Sequence, residues 1–181
     1  MKPAALVIAC LALLGACTAR PAPDASLGGP KLDLERYFDG RVVAYGQFQD
    51  ILGEVRRRFT VEIEGVWDGE TLTLTEDFVY EDGSTERRVW SLVKTGEDTW
   101  RGTAPGVIGE AVGVERAETF NWRYTIDLPV PDGTLRVSFD DWMWLVDERR
   151  LINRAYMTRL GIDIGDVIIF FEKQAETADP A

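Results

Sequence analysis

Residues 119–146 read TFNWRYTIDLPVPDGTLRVSFDDWMWLV, and this stretch decides the fold. Every second residue from Phe120 to Leu128 is apolar, and the alternation returns after the Asp132-Gly133 pair. A period of two is typical of strands that bury one face, and Asp-Gly between two such runs is a strong hairpin signal. The stretch therefore predicts two antiparallel strands joined by a tight turn.

The same alternation, interrupted by turn residues, continues through most of the chain. Further turn signals are Asp68-Gly69, Asp82-Gly83, Gly96-Glu97-Asp98 and Asp147-Glu148. One short helical turn is expected over Leu32 to Phe38, before the first strand. We expect strands near residues 41–50, 55–67, 70–81, 85–95, 98–104, 107–116, 119–128, 133–146, 150–160 and 165–174.

So many consecutive strands need their edges protected, and closure into a ring removes the edges altogether. We therefore predict an all-β fold: an antiparallel up-and-down β-barrel, lipocalin-like, of about 8–10 strands, with room inside for one small ligand. The alternative is a two-sheet sandwich. An outer-membrane barrel is excluded because the face opposite the core carries Thr60, Glu62 and Glu64, which a lipid-facing band does not tolerate.

The composition excludes several classes of function. The 181 residues contain no histidine, which removes Ser-His-Asp catalysis and histidine-ligated zinc or haem. The net charge of −11 argues against a nucleic-acid partner. Asp140 and Asp141 are adjacent, so on a strand they point to opposite faces and do not form an acid/base pair. We expect no enzyme activity, no cofactor and no metal site.

The N-terminus resembles a bacterial lipoprotein signal. Lys2 precedes the apolar run Ala4 to Leu14, which is too short to span a bilayer, and Leu14-Gly15-Ala16-Cys17 resembles a lipobox. In such signals the cysteine is acylated, so Cys17 is the expected lipid attachment site and the lipid is the expected membrane contact. Thr18, in place of Asp, resembles the sorting signal for the periplasmic face of the outer membrane rather than the inner membrane. The alternative is an ordinary secretory signal with a chance cysteine.

The predicted domain boundaries follow from these features. Residues 1–16 are the expected signal peptide, and residues 17–30 are the expected lipidated cysteine with a flexible tether rich in Pro and Gly. Residues 31–175 form the predicted barrel domain, and residues 176–181 a disordered tail.

Polar residues on the apolar face of the strands mark the candidate site. Glu76 and Asp141 interrupt such faces, and Arg154 lies on a neighbouring strand. Three interpretations remain open: Arg154 neutralises Asp141 or Glu76 in a structural network, a β-bulge turns Asp141 to water, or Arg154 holds an anionic head group of a lipid. The candidate ligand-binding residues of the barrel interior are Glu76, Tyr80, Trp122, Asp141, Trp142, Arg154 and Tyr156.

The chain from Leu32 to Lys173 resembles an uncharacterised family of proteobacterial lipoproteins, known as a domain of unknown function. The motifs that carry the resemblance are Tyr37-Phe38-Asp39-Gly40, Gly46-Gln47-Phe48 with Gly53, Phe78-Val79-Tyr80-Glu81-Asp82-Gly83 with Arg88-Val89-Trp90, and Asp140-Asp141-Trp142-Met143 with Asn153-Arg154. The resemblance implies a lipocalin-like or calycin-like barrel behind a lipobox, and it implies no activity. Gly46-Gln47-Phe48 also resembles the Gly-x-Trp signature of lipocalins, with Phe in place of Trp.

Two hypotheses about function follow. In the first, a barrel anchored in the cell envelope binds, or helps to transfer, a small lipidic or amphipathic ligand. In the second, a barrel filled by its own side chains is a structural or interaction module that supports an envelope complex. An apolar cavity inside the barrel favours the first hypothesis. The sequence names no protein partner.

Overall fold

The computed structural model describes residues 20–21, 28–130 and 133–175. Within these residues a short helix, α1 (Leu34–Phe38), precedes ten strands. The strands in chain order are β1 (Gly40–Asp50), β2 (Val55–Trp67), β3 (Thr71–Tyr80), β4 (Thr85–Gly96), β5 (Thr99–Thr103), β6 (Ala111–Arg116), β7 (Thr119–Val130), β8 (Gly133–Leu145), β9 (Arg150–Arg159) and β10 (Ile162–Lys173).

The predicted signal peptide, Cys17 and the tail at residues 176–181 lie outside the described residues. Two parts of the predicted tether are described, residues 20–21 and 28–30. Within the described part of the chain, no helix combines the length and the apolar character needed to cross a membrane.

The strands form one closed barrel in which each strand pairs antiparallel with its neighbours in sequence. The ring closes because β1 pairs with both β2 and β10, with the β1–β10 register running from Val42 opposite Lys173 to Asp50 opposite Gly165. The predicted up-and-down barrel with a short helical turn before it is therefore confirmed. A sandwich is excluded because its sheets would leave the first and last strands as edges.

Aspartates at the connections explain why several strands end where they do. Asp68 accepts hydrogen bonds from the backbone N–H groups of Glu70 and Thr71, at 2.9 and 2.7 Å. Asp147 does the same for the N–H groups of Arg149 and Arg150. Such Asp side chains replace a backbone acceptor and favour a turn, which is why these turn signals predicted strand boundaries correctly.

The strand predicted over 107–116 begins later, at Ala111. Gly106 and Gly109 adopt positive φ angles of 86° and 71°, a conformation that strands do not use. Backbone hydrogen bonds from Asp127 to the Gly106 carbonyl and from Ile108 to the Thr125 carbonyl hold this loop against β7. The last strand begins earlier than predicted, at Ile162, with an irregular register between Asp163 and Gly165.

Helix α1 and the preceding Leu32 close one end of the barrel, and we call them the plug. Leu32 and Leu34 are almost fully buried. The Lys173 ammonium group, at the end of β10, donates hydrogen bonds to the carbonyl oxygens of Arg36, Tyr37 and Asp39, at 2.9, 2.8 and 2.6 Å. These bonds satisfy carbonyl groups at the end of the helix, which have no partner within it.

Gly65 on β2 permits this close packing of the plug. A Cβ atom at position 65 would lie 1.8 Å from the carbonyl oxygen of Phe38, which is a backbone atom that a rotamer change cannot move. The absence of a side chain at position 65 therefore allows α1 to approach the barrel wall.

Gly65→Ala is expected to destabilise the protein by about 1–3 kcal/mol, because the added methyl group displaces the plug from its buried position. The measurement is urea unfolding followed by tryptophan fluorescence. Glu64→Ala, the exposed neighbour on the same strand, is the matched control and should have a much smaller effect. Equal stability of Gly65→Ala and wild type would contradict this account of the plug.

Candidate functional site

The barrel encloses a cavity of about 480 Å³. It extends from the plug to the opposite end, which we call the mouth: the end that carries the β1–β2, β3–β4 and β9–β10 connections. The wall is mostly apolar and rich in aromatic rings, including those of Phe59, Phe78, Trp90, Trp122, Tyr124 and Phe139. The barrel is thus only partly filled by its own side chains.

A charged pair lies on the β3–β4 side of the cavity. Glu76 stands directly opposite Arg88 in the β3–β4 register. Arg88 is bound instead to Glu86, with 2.6 Å between its Nη2 and Oε1 of that carboxylate. The Tyr80 hydroxyl donates to the other Glu86 oxygen at 2.8 Å, and the Arg57 guanidinium lies 3.4 Å from the centre of the Tyr80 ring at the mouth.

The second polar group of the lumen consists of Asp141 on β8 and Tyr124 on β7. Asp141 is only 7% exposed, and the Tyr124 hydroxyl acts on its carboxyl to lower the pKa of Asp141, against the larger effect of burial. Its Oδ1 atom is buried and has no hydrogen-bond partner among the described residues. A buried carboxylate oxygen without a partner is costly and rare in native proteins.

Glu115, near the plug, shows the usual solution to the same problem. This carboxylate is 2% exposed, and its Oε1 accepts hydrogen bonds from the Trp100 indole N–H at 2.8 Å and from the Leu34 backbone N–H at 3.1 Å. Glu115 is therefore satisfied by the protein itself, whereas Asp141 is satisfied only in part. This difference separates a structural carboxylate from a candidate binding group.

The pKa values of two carboxyls in the lumen, Asp141 and Glu76, are raised. Burial, together with the negative charges of Asp140 and Glu76, raises the pKa of Asp141 to about 8. Burial likewise raises the pKa of Glu76 to about 7, against the opposing effect of Arg88. Glu86 differs: burial raises its pKa, but Arg88 and the Tyr80 hydroxyl outweigh this and hold it below the ordinary value.

Four predicted site residues line the cavity: Glu76, Tyr80, Trp122 and Asp141. Their role in ligand binding stays a prediction. The β-bulge interpretation of Asp141 is wrong, because the β7–β8 pairing runs through Asp140 and Asp141 without a break. Asp141 therefore points into the barrel.

The other three, Trp142, Arg154 and Tyr156, lie on the outer face, so their predicted interior location is wrong. Successive residues of a strand point to opposite sides, and the inward positions of β8 and β9 are taken by Asp141 and by Asn153 and Ala155. On the outer face, Trp142 stacks on Trp144, and Arg154 binds Asp166 at 2.6 Å and lies over the Tyr156 ring.

The predicted pairing of Arg154 with Asp141 or Glu76 is therefore wrong: Arg154 binds Asp166 instead, and Arg88 is the arginine that stands opposite Glu76. Sequence reasoning missed Arg88, Glu86 and Tyr124. The signal was present: Glu86 and Arg88 alternate in step with Trp90 and Leu92, which are buried. Among the described residues, no group of three acidic or cysteine side chains is placed to hold a metal ion.

Asp141→Asn is expected to change how stability depends on pH. Because folding raises the pKa of Asp141 from 3.8 to about 8, the native state holds a proton that the unfolded chain releases between these values. The unfolding free energy of the wild type therefore falls as pH rises through this range, by at most about 1.4 kcal/mol per pH unit for this group. In the variant, the unfolding free energy measured with urea should fall less steeply with pH from about pH 5 to about pH 8.

Asp77→Asn is the matched control for this experiment. Asp77 is hydrogen-bonded to Arg87 on the outer face, which lowers its pKa, so it is ionised in both states over the same range. Parallel stability curves for Asp141→Asn and wild type would contradict the raised pKa of Asp141.

Comparisons with known proteins place this fold. The family model described as Protein of unknown function (DUF3833) matches residues 11–173, and no curated protein matches the chain. Among solved structures, the S-type phycobiliprotein lyase CPES from Guillardia theta superposes with a TM-score of 0.60 at 11% sequence identity, over 81% of this chain and 95% of that chain. A redesigned beta barrel gives a TM-score of 0.42 at 8% identity, over 78% of this chain and 95% of that chain.

The likeness to CPES shows a shared fold only, because the sequence identity is low. The predicted resemblance to a family of unknown function with a lipocalin-like barrel is confirmed in family and fold, and lipid anchoring stays a prediction. Since the family model spans nearly the whole sequence, this chain belongs to the DUF3833 family.

Proposed function

We propose that this protein is a non-enzymatic binding protein of the cell envelope that holds a small lipidic or amphipathic ligand inside its barrel. The observation that carries the proposal is the apolar cavity of about 480 Å³. Ligand sites are typically concave, mostly apolar and about 300–1,000 Å³, with a few polar groups that orient the ligand. The lumen has each of these properties.

The mouth of the barrel supports the same proposal. Ile51 and Leu52 in the β1–β2 connection are 68% and 78% exposed, and Leu160 and Ile162 at the β9–β10 connection are 93% and 69% exposed. The two connections are adjacent because β1 pairs with β10. They form one apolar edge beside the entrance, of the kind that marks contact with apolar partners.

The alternative function, a structural module with a filled barrel, has less support. A filled barrel would satisfy its interior polar groups and leave little free volume, as the region around Glu115 does. The lumen instead combines free volume with the unpaired Asp141 oxygen. These two properties favour a bound ligand.

Ala155→Phe is expected to weaken ligand binding at least about tenfold, because Ala155 lines the cavity and a ring at this position fills part of it. The measurement is titration with the neutral apolar dye N-phenyl-1-naphthylamine, whose fluorescence rises in apolar surroundings. Ile152→Phe adds the same ring to the outer face of the same strand, where Ile152 is 43% exposed, and should bind like wild type.

Thermal unfolding of both variants shows whether they remain folded. Binding of the dye to neither wild type nor control, or equal binding by folded Ala155→Phe, would contradict the proposed site.

The proposal includes a lipid anchor at Cys17, at the periplasmic face of the outer membrane. It is supported by the lipobox pattern of Leu14 to Cys17, and Arg20 adds a geometric argument. Arg20 binds Asp163 and lies 4.1 Å from the centre of the Tyr156 ring, on the outer wall toward the mouth. A lipid three residues before Arg20 is within about 11 Å of extended chain. The anchor and the apolar edge of the mouth would then face the same membrane.

Cys17→Ser is expected to abolish incorporation of a clickable palmitate analogue in the native bacterial host, because the thiol is the acyl acceptor. Cys10→Ser is the matched control and should keep the label, since Cys10 lies in the predicted signal peptide. Label retained by Cys17→Ser, or absent from wild type, would contradict the anchor while leaving the proposed lumen site untouched.

A further inference from the structure

We propose that the lumen selects ligands that carry a protonated amine, with Asp141 and Glu76 as the groups that receive it. This inference deepens the proposed function and rests on it. The occupant is an amphipathic molecule with an apolar chain and a primary ammonium group. The ammonium lies near the two carboxyls, and the chain lies along the aromatic wall.

The class of ligand is inferred from the hydrogen-bond donors and acceptors that line the lumen. Three carboxyls, Glu76, Glu86 and Asp141, border the cavity together with Arg88 and, at the mouth, Arg57, which lies over the Tyr80 ring and donates to the Ser84 hydroxyl at 2.9 Å. Arg88 is already bound to Glu86, so its charge is not free for an anionic ligand. What the lumen leaves unpaired is an acceptor, the Oδ1 atom of Asp141. An N–H donor of a ligand supplies the partner that the protein does not.

The groups around Asp141 favour a cation over an anion. Tyr124 and Arg88 favour the ionised form of Asp141, and the negative charges of Asp140 and Glu76 oppose it. A ligand carboxylate would add a further negative charge to this set. An ammonium group would stabilise both carboxylates, because an opposite charge within a few ångströms favours the ionised form.

The aromatic wall gives a second attraction for a cation. The Trp90 ring contacts those of Trp122 and Tyr124, with centroid distances of 5.7 and 5.1 Å. Tyr124, which acts on the Asp141 carboxyl, thus belongs to both the ring cluster and the carboxyl cluster. Aromatic faces attract ammonium groups and pack against alkyl chains, so one cluster serves both ends of such a ligand.

The test is displacement of N-phenyl-1-naphthylamine by three ligands with the same alkyl chain: dodecylamine, dodecanol and dodecanoate, each below its micelle-forming concentration at pH 7.5. Dodecylamine is charged at this pH, as a lysine side chain is. We expect it to bind at least about tenfold more tightly than the alcohol and the carboxylate.

Asp141→Asn should reduce the affinity for dodecylamine, relative to that for dodecanol, about tenfold or more. Asp77→Asn, an outward carboxylate bound to Arg87, is the matched control and should behave as wild type. If Asp141→Asn does not fold, Glu76→Gln takes its place with the same expectation. Calorimetry in two buffers of different ionisation enthalpy adds a direct reading: amine binding should release protons from the two carboxyls, and alcohol binding should release none.

The outcomes separate this inference from the proposed function. Equal affinity for the amine and the alcohol, or tighter binding of dodecanoate, overturns the amine preference while the lumen remains a binding site. Retained amine preference in folded Asp141→Asn and Glu76→Gln also overturns it. If neither the dye nor any of the three ligands binds, the proposed function itself is wrong.

Discussion

The pairing of β1 with β10 is the contact on which the rest of the structure depends. Without it the two strands would be open edges with unpaired backbone groups. With it, every strand has two neighbours, and alternate residues of each strand must point into one enclosed space. The plug then closes one end of that space, because Gly65 lets the Phe38 carbonyl approach the wall. The mouth, with its exposed apolar residues, remains as the entrance.

Enclosure sets the electrostatics of the lumen. A carboxyl that enters such a space loses water, and it must gain partners or keep its proton. Glu86 gains Arg88 and Tyr80 and stays ionised. Asp141 gains Tyr124 alone, so burial raises its pKa. One enclosure therefore contains both an ion pair that the protein completes and a carboxyl whose Oδ1 atom has no partner among the described residues, and the proposed site consists of the second.

The alternation of apolar and polar residues predicted the strands, the ring and the inward orientation of Glu76 and Asp141, because side-chain direction along a strand is a local property. The aspartate turns were predicted for a similar reason: at Asp68 the side chain bonds to backbone groups only two and three residues away. The predicted pairing of Arg154 with Asp141 or Glu76 was wrong, because it assumed that Arg154 points into the barrel. Arg154 obeys its own parity, points outward and binds Asp166.

The strands, the turns between them and the lipobox pattern could be predicted from the sequence, since each follows from residues close together in the chain, whereas closure of the barrel depends on the distant β1–β10 pairing and left a two-sheet sandwich as an alternative. Only the tertiary structure decided which polar groups meet inside the barrel. Glu76 and Arg88 are cross-strand neighbours, but Asp141 lies on β8, on another part of the wall, and the effect of Glu76 on the pKa of Asp141 depends on closure of the ring. The free volume inside the barrel also depends on the tertiary structure, because cavity volume is set by how all the inward side chains pack together.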